Sequence, residues 1–195
     1  MKVLTTSIFS LLSLTVFAQT ELTAVSSIQS QATIRISKST KRCKYFSANA
    51  PVTMADGSVK SIADVRVGEH VKTCKDGKTA TTQVKQIDIF DQPTLPLTAV
   101  YLRPAHDHAT PDSPIVPALL LEATPDHKVQ TNHGRKRMKK LSKKDILYRY
   151  EPSTGIVSSW KVGAVQTNAR RVKKAYDLET VDGTYLVDNV MVANN

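Results

Sequence analysis

An all-β fold is predicted for this chain by three observations: short runs of β-branched residues, turn dipeptides between them, and a segment near residue 57 that returns near residue 134. The turn signals are Asp56-Gly57, Asp76-Gly77, His133-Gly134, Thr154-Gly155 and Asp182-Gly183, where glycine supplies a positive φ that side chains disfavour. Strands are expected at 52–54, 70–73, 82–90, 98–103, 118–123, 128–131, 146–150, 158–166, 172–179 and 185–192. The stretch 103–117 carries Pro104, Pro111 and Pro114 and reads as a loop.

The segments ahead of the first strand have other compositions. Lys2, an apolar run over 3–17 and a small residue at Ala18 read as a secretory signal over residues 1–18, so the mature protein is expected to be secreted and extracellular. That run is too short and too polar to span a bilayer, and no later run does better. Residues 19–42 are rich in Ser, Thr and Gln, hold no aromatic and end in Lys41-Arg42, which fits a flexible leader. The domain proper is expected over residues 43–195, a length that buries a sizeable core.

Net charge is +10, and +9 once the signal with Lys2 is removed (10 − 1). Much of it comes from Arg135, Lys136, Arg137, Lys139, Lys140, Lys143 and Lys144, with no aromatic among them. Without stacking residues the cluster reads as a solvated basic face, and no nucleic-acid partner is expected. A monomer is expected. His106 and His108 are too few for a zinc site, which takes three or four ligands, so no metal or other cofactor is expected.

Cys43 and Cys74 are the two cysteines. Export permits a bridge between them; alternatively Cys43 is a free nucleophile and Cys74 incidental. The sequence leaves both open.

The internal repeat concerns architecture. The segment from Gly57 to Val71 matches that from Gly134 to Leu147 once one residue is dropped after the glycine. Ile62, Val65, Glu69 and Val71 then fall on Met138, Leu141, Asp145 and Leu147. The shared pattern is a strand, a short helical turn and an acidic corner feeding the next strand, and two copies imply pseudo-twofold symmetry.

Three further blocks carry a family resemblance. They are Phe46-Ser47-Ala48-Asn49-Ala50-Pro51-Val52-Thr53-Met54-Ala55-Asp56-Gly57, the Thr124-Pro125-Asp126-His127 turn, and Ala175-Tyr176-Asp177-Leu178-Glu179-Thr180-Val181-Asp182-Gly183 with the stretch 185–194 after it. In this order they resemble the Hint module shared by Hedgehog-type autoprocessing domains and inteins, over nearly all of residues 43–195. The resemblance implies a compact, horseshoe-like, all-β fold of two related halves.

It also implies chemistry. A cysteine at the domain's first residue attacks the preceding carbonyl through a five-membered ring and turns an amide into a thioester. Here that is Cys43 on the Arg42 carbonyl. His127 matches the histidine that protonates the departing nitrogen, Thr124 the residue that helps hold the peptide, and Asp177 an acidic position assisting proton transfer. The expected activity is a single-turnover self-cleavage before Cys43. The substrate is the chain's own N-terminal segment and the acceptor is water or a small thiol.

Two departures bear on it. Relatives place the nucleophile directly before a Phe-like residue, and gap-free matching puts Tyr45 there, two positions after Cys43. Either a local insertion brings Cys43 into the site, or Ser47 serves, or the domain is an inactive Hint-fold binding module with a basic face. The chain closes on Ala193-Asn194-Asn195 with no penultimate histidine, so neither splicing nor cholesterol transfer is expected. A β-rich secreted protein unrelated to this family is the remaining reading.

Overall fold

The computed structural model describes residues 33–37, 44–105 and 118–194. The expected signal, most of the leader, Cys43 and His106-Asp107-His108 lie outside the described residues. In chain order the strands are β1 (Thr33–Ser37), β2 (Phe46–Ser47), β3 (Pro51–Thr53), β4 (Val59–Ser61), β5 (His70–Lys75) and β6 (Lys78–Pro104). They continue as β7 (Leu119–Ala123), β8 (Lys128–Thr131), β9 (Gly134–Arg137), β10 (Ile146–Glu151), β11 (Ile156–Thr180), β12 (Thr184–Val187) and β13 (Val190–Ala193). Short 3-10 turns at Ile62–Asp64 and Met138–Lys140 interrupt them. The all-β expectation holds, and the sheet is open.

The framework is the antiparallel pair β6 and β11, in register from Trp160 opposite Pro104 to Thr180 opposite Val84. The sequence suggests two strands in each of these regions, because 91–97 and 167–171 look like breaks. The structure instead keeps the ladder and absorbs the irregularity in bulges. The register shifts between Val172 and Lys174 and between Gln166 and Arg170, with Thr94 and Asn168 at φ of 79° and 54°. Expected strand 185–192 is likewise two strands, folded at Asp188-Asn189. Both take positive φ, 51° and 61°, as a two-residue hairpin turn requires, without the glycine that would have advertised it.

A second difference concerns the leader. Thr33–Ser37 is a strand, laid parallel against Gln86 to Phe90 of β6, where composition suggests a flexible segment.

The repeat is real in three dimensions. Ile62 and Met138 are both fully buried, as are Val71 and Leu147, while Val65 and Leu141 close the 3-10 turns. In the first copy Glu69 accepts from Lys60 Nζ at 2.6 Å and from the Arg66 amide at 3.0 Å. In the second Asp145 accepts from Lys136 Nζ at 2.6 Å and the Ser142 amide at 2.8 Å. Each acid thus caps a tight corner and anchors a strand lysine. Equivalent bonds run from Val84 N to Glu69 O and from Val162 N to Asp145 O, so each long strand meets its corner in the same way.

The copies differ in depth. Asp145 has no exposed surface, whereas the Glu69 side chain is 28% exposed. Burial pushes the Asp145 carboxyl up, but Lys136 and the two Ser142 bonds outweigh it and hold the group below its ordinary range. Asp145→Ala should therefore cost about 2 kcal/mol or more in urea unfolding, and Glu69→Ala less than about 1 kcal/mol. Equal losses would mean that burial does not separate the two corners.

Candidate functional site

Thr124 directly follows β7 and His127 directly precedes β8, and both are fully buried. Proline fixes the turn between them, and the His127 amide donates to the Thr124 carbonyl at 3.1 Å. The turn is tied to the second repeat copy by Met138 N to His127 O at 2.8 Å and Lys139 N to Pro125 O at 3.0 Å. Lys139 and Arg137 lie 2.8 and 3.5 Å from the Asp126 carboxylate, and Lys136 is held by Asp145. Three of the seven cations of the basic cluster are therefore spent on structure, and Arg135, Lys140, Lys143 and Lys144 remain exposed.

Thr124 grips one residue from both sides. Its hydroxyl accepts from the Tyr45 amide at 2.7 Å, and its own amide donates to the Tyr45 carbonyl at 2.9 Å. His127 reaches the same peptide from the other end. Burial pushes its pKa down to about 3, and the Lys44 charge adds to this. A hydrogen bond with the Lys44 backbone works the other way. A bond that favours the protonated ring is one the ring donates, and the Lys44 backbone acceptor is its carbonyl. The Lys44–Tyr45 peptide is thus held at its oxygen by a neutral imidazole and at its nitrogen by a hydroxyl.

Neighbouring groups fix this arrangement. The Phe46 ring meets the His127 ring edge-on at 4.2 Å and the Tyr185 ring at 6.4 Å. Tyr185, fully buried, donates to Asp177 at 3.1 Å. Burial and the Asp177 charge raise its phenol pKa well above the ordinary value, so it stays a donor. Asp177 is therefore linked to the site by way of Tyr185 and Phe46. Tyr185 lies in the closing block, and its role as that link carried no sequence signal beyond its place there.

The remaining expected residues sit differently. Ser47 is 5% exposed and its hydroxyl donates to Asn49 at 2.8 Å and receives Arg170 at 3.3 Å, so it serves its own turn. Cys43 is outside the described residues, one position before Lys44. Cys74 is a free, half-buried thiol whose pKa burial raises. Tyr45, at the position gap-free matching gives the nucleophile, is 7% exposed and packs its ring 5.4 Å from Phe90, beside Leu95 and Ala175.

The turn also has a twin. Ala50 N donates to Ser47 O at 3.0 Å, Ile62 N to Ala50 O at 2.8 Å and Ala63 N to Ala48 O at 3.1 Å, matching the bonds of Thr124, Pro125 and His127 one for one. Ser47-Ala48-Asn49-Ala50 is thus the first half's copy of Thr124-Pro125-Asp126-His127, with alanine where the imidazole stands.

His127 sets an acid limit. Folded it takes up no second ring proton down to about pH 3, while unfolded it gains one below about 6.5. Its contribution is therefore complete above pH 6.5 and is lost as pH falls toward 3, with a slope of at most about 1.4 kcal/mol per pH unit. Burial raises the Asp188 pKa, which works in the opposite direction. Urea unfolding from about pH 7 to about 4.5 should show a decline in the native chain that His127→Leu removes; an unchanged slope in the variant would assign the decline elsewhere.

No family model and no curated protein matches the sequence, so the likeness to known proteins is one of structure. A mutant of the Ssp DnaB mini-intein variant M86 superposes with a TM-score of 0.61 at 14% identity, covering 76% of this chain and 90% of that one. A DnaB intein from Synechocystis sp. PCC 6803 gives 0.58 at 17% identity over 77% and 98%. A bacterial intein-like domain from Clostridium thermocellum gives 0.54 at 21% identity over 77% and 99%. With its two-copy β-framework and buried threonine–histidine turn, the chain has the Hint fold of the inteins and intein-like domains.

Proposed function

We propose that this chain is a secreted Hint-fold module that grips its own N-terminal junction without cutting it, and binds an acidic polymer through its basic face. The observation that carries the reading is the pair of hydrogen bonds between Thr124 and the Tyr45 backbone, one donated by each residue. An acyl shift at a gripped amide needs a nucleophile on the β-carbon of the residue owning that nitrogen, so that a five-membered ring closes on the preceding carbonyl. Tyr45 offers a phenol at the far end of a ring, packed against Phe90 and Leu95. The Lys44–Tyr45 bond is held, and the side chain that owns its nitrogen cannot attack it.

Self-cleavage before Cys43, by attack on the Arg42 carbonyl with water or a small thiol as acceptor, is the second reading. What favours it is that a neutral, buried His127 and Thr124 still embrace a junction peptide. The Cys43 nitrogen lies two residues before the gripped one, roughly 7 Å along an extended chain, so the junction would have to slide by that much. Export rests on residues 1–18, and the basic face on exposed Arg135, Lys140, Lys143 and Lys144.

Tyr45→Cys separates these readings. The native chain is expected to stay whole under reducing thiol, while the variant, with a thiol on the gripped residue, should yield a fragment starting at position 45 by mass spectrometry. Adding His127→Ala should suppress that fragment. A native fragment starting at Cys43 and lost in His127→Ala would overturn the first reading in favour of the second. Cleavage after Arg42 that survives His127→Ala belongs to a protease acting at Lys41-Arg42.

The partner is tested separately. Heparin-like polymer should bind with an affinity that falls steeply with salt, and Lys140, Lys143 and Lys144 changed together to Gln should weaken it on the order of tenfold. Binding insensitive to both would remove the basic face from the proposal.

A further inference from the structure

The leader's strand lies on the domain in an unusual way. β1 is the terminal strand of the sheet path, and its ladder partner is β6, with Thr33 beside Gln86 through Ser37 beside Phe90. The other edge of the same β6 stretch is taken by β11, from Glu179 beside Gln86 to Ala175 beside Phe90. Ile34 and Ile36 stand next to Ile87 and Ile89 and share their side of the sheet. Yet they remain 63% and 72% exposed. Beside Ile34 runs a groove of about 470 Å³, walled by Val65, Val67, Ile89 and Tyr176.

These facts distinguish β1 from the strands that build the core. It is five residues long, it pairs on one side among the described residues, and its two large apolar side chains bury little surface. Its attachment therefore rests mainly on main-chain pairing, aided by the high effective concentration that a covalent tether supplies. The groove beside it is only partly filled, so a bulkier apolar residue at the Ile34 position has room to bury more surface than isoleucine does.

We propose that the β6 edge from Gln86 to Phe90, with the adjoining apolar groove, is a docking site for an extended peptide bearing apolar residues at alternate positions. The leader's Thr33–Ser37 fills it in cis as an exchangeable strand. Main-chain pairing supplies the affinity, and the groove reads the side chain next to Ile87. A leader severed from the domain stays on this edge until it is displaced. The inference uses neither Thr124 nor His127 and stands whichever way the Lys44–Tyr45 junction behaves.

The experiment cuts the full chain at a specific protease site inserted between residues 38 and 42 and passes it over a sizing column at about 100 μM. The leader fragment should co-elute with the domain and be chased off by excess of a synthetic peptide of residues 30–40. By fluorescence anisotropy that peptide should bind the cut, leader-stripped domain, and Ile34→Phe should tighten it several-fold. Proline placed in turn at 34, 35 and 36 should weaken it on the order of tenfold in alternation, since only every second amide of a strand faces its neighbour. Immediate separation of the fragment with no anisotropy change overturns the proposal. So does binding that ignores proline, because that would be apolar adhesion without a ladder.

Discussion

The structure turns on how the Lys44–Tyr45 peptide is held. Thr124 bonds the backbone of Tyr45 on both sides, and His127 addresses Lys44 from the same buried turn. This one clasp joins the entrance of the domain to its middle, 79 residues later in the chain. It also decides where Phe46 goes, since the residue after the clasped one must point inward against His127 and Tyr185. Keeping an imidazole neutral in a fully buried position costs acid stability, and only contacts as close as these make such a site persist.

The two-copy architecture explains why the clasp exists once. Each half closes the same turn with one backbone bond and ties it to its 3-10 segment with two more, Ser47 to Ala50 in one and Thr124 to His127 in the other. In the first half Ala50 lacks a functional group, and the Ser47 hydroxyl is turned onto Asn49 and Arg170. In the second the hydroxyl and the imidazole converge on the chain that enters the domain. The repeat supplies the scaffold, and side-chain choice at two positions supplies the clasp.

The fold was legible in the sequence because the repeat couples apolar spacing to an acidic corner, and both halves of that pattern do structural work at Glu69 and Asp145. Strand ends were less legible. Pro93 and Pro96 look like terminators, yet a bulge carries β6 past them. Asp188-Asn189 hides a hairpin because the pair adopts the left-handed conformation that glycine usually signals. Thr124 and His127 could be read from a four-residue turn, since the turn chemistry is local. The identity of the peptide they hold could not, because it depends on which of three neighbouring residues a contact across the fold selects. The strand at Thr33–Ser37 escaped for a similar reason: two isoleucines do not stand out in a stretch rich in Ser, Thr and Gln, and the partner edge supplies the order.

Tyr45 is where the backbone grip and the packing of the core meet. A small thiol at that position would reach the carbonyl before it and leave a gap against Phe90 and Leu95; the phenol ring fills that gap and cannot reach. The same side chain thus completes a small apolar cluster with Ala175 while its backbone stays gripped by Thr124. The grip and the packing reinforce each other: fixing the Tyr45 backbone aims its ring at Phe90, and burying the ring keeps the backbone against Thr124. The clasp fastens the chain entering β2 to the core of the domain. Backbone grip and side-chain packing therefore act on one residue, Tyr45, from opposite ends.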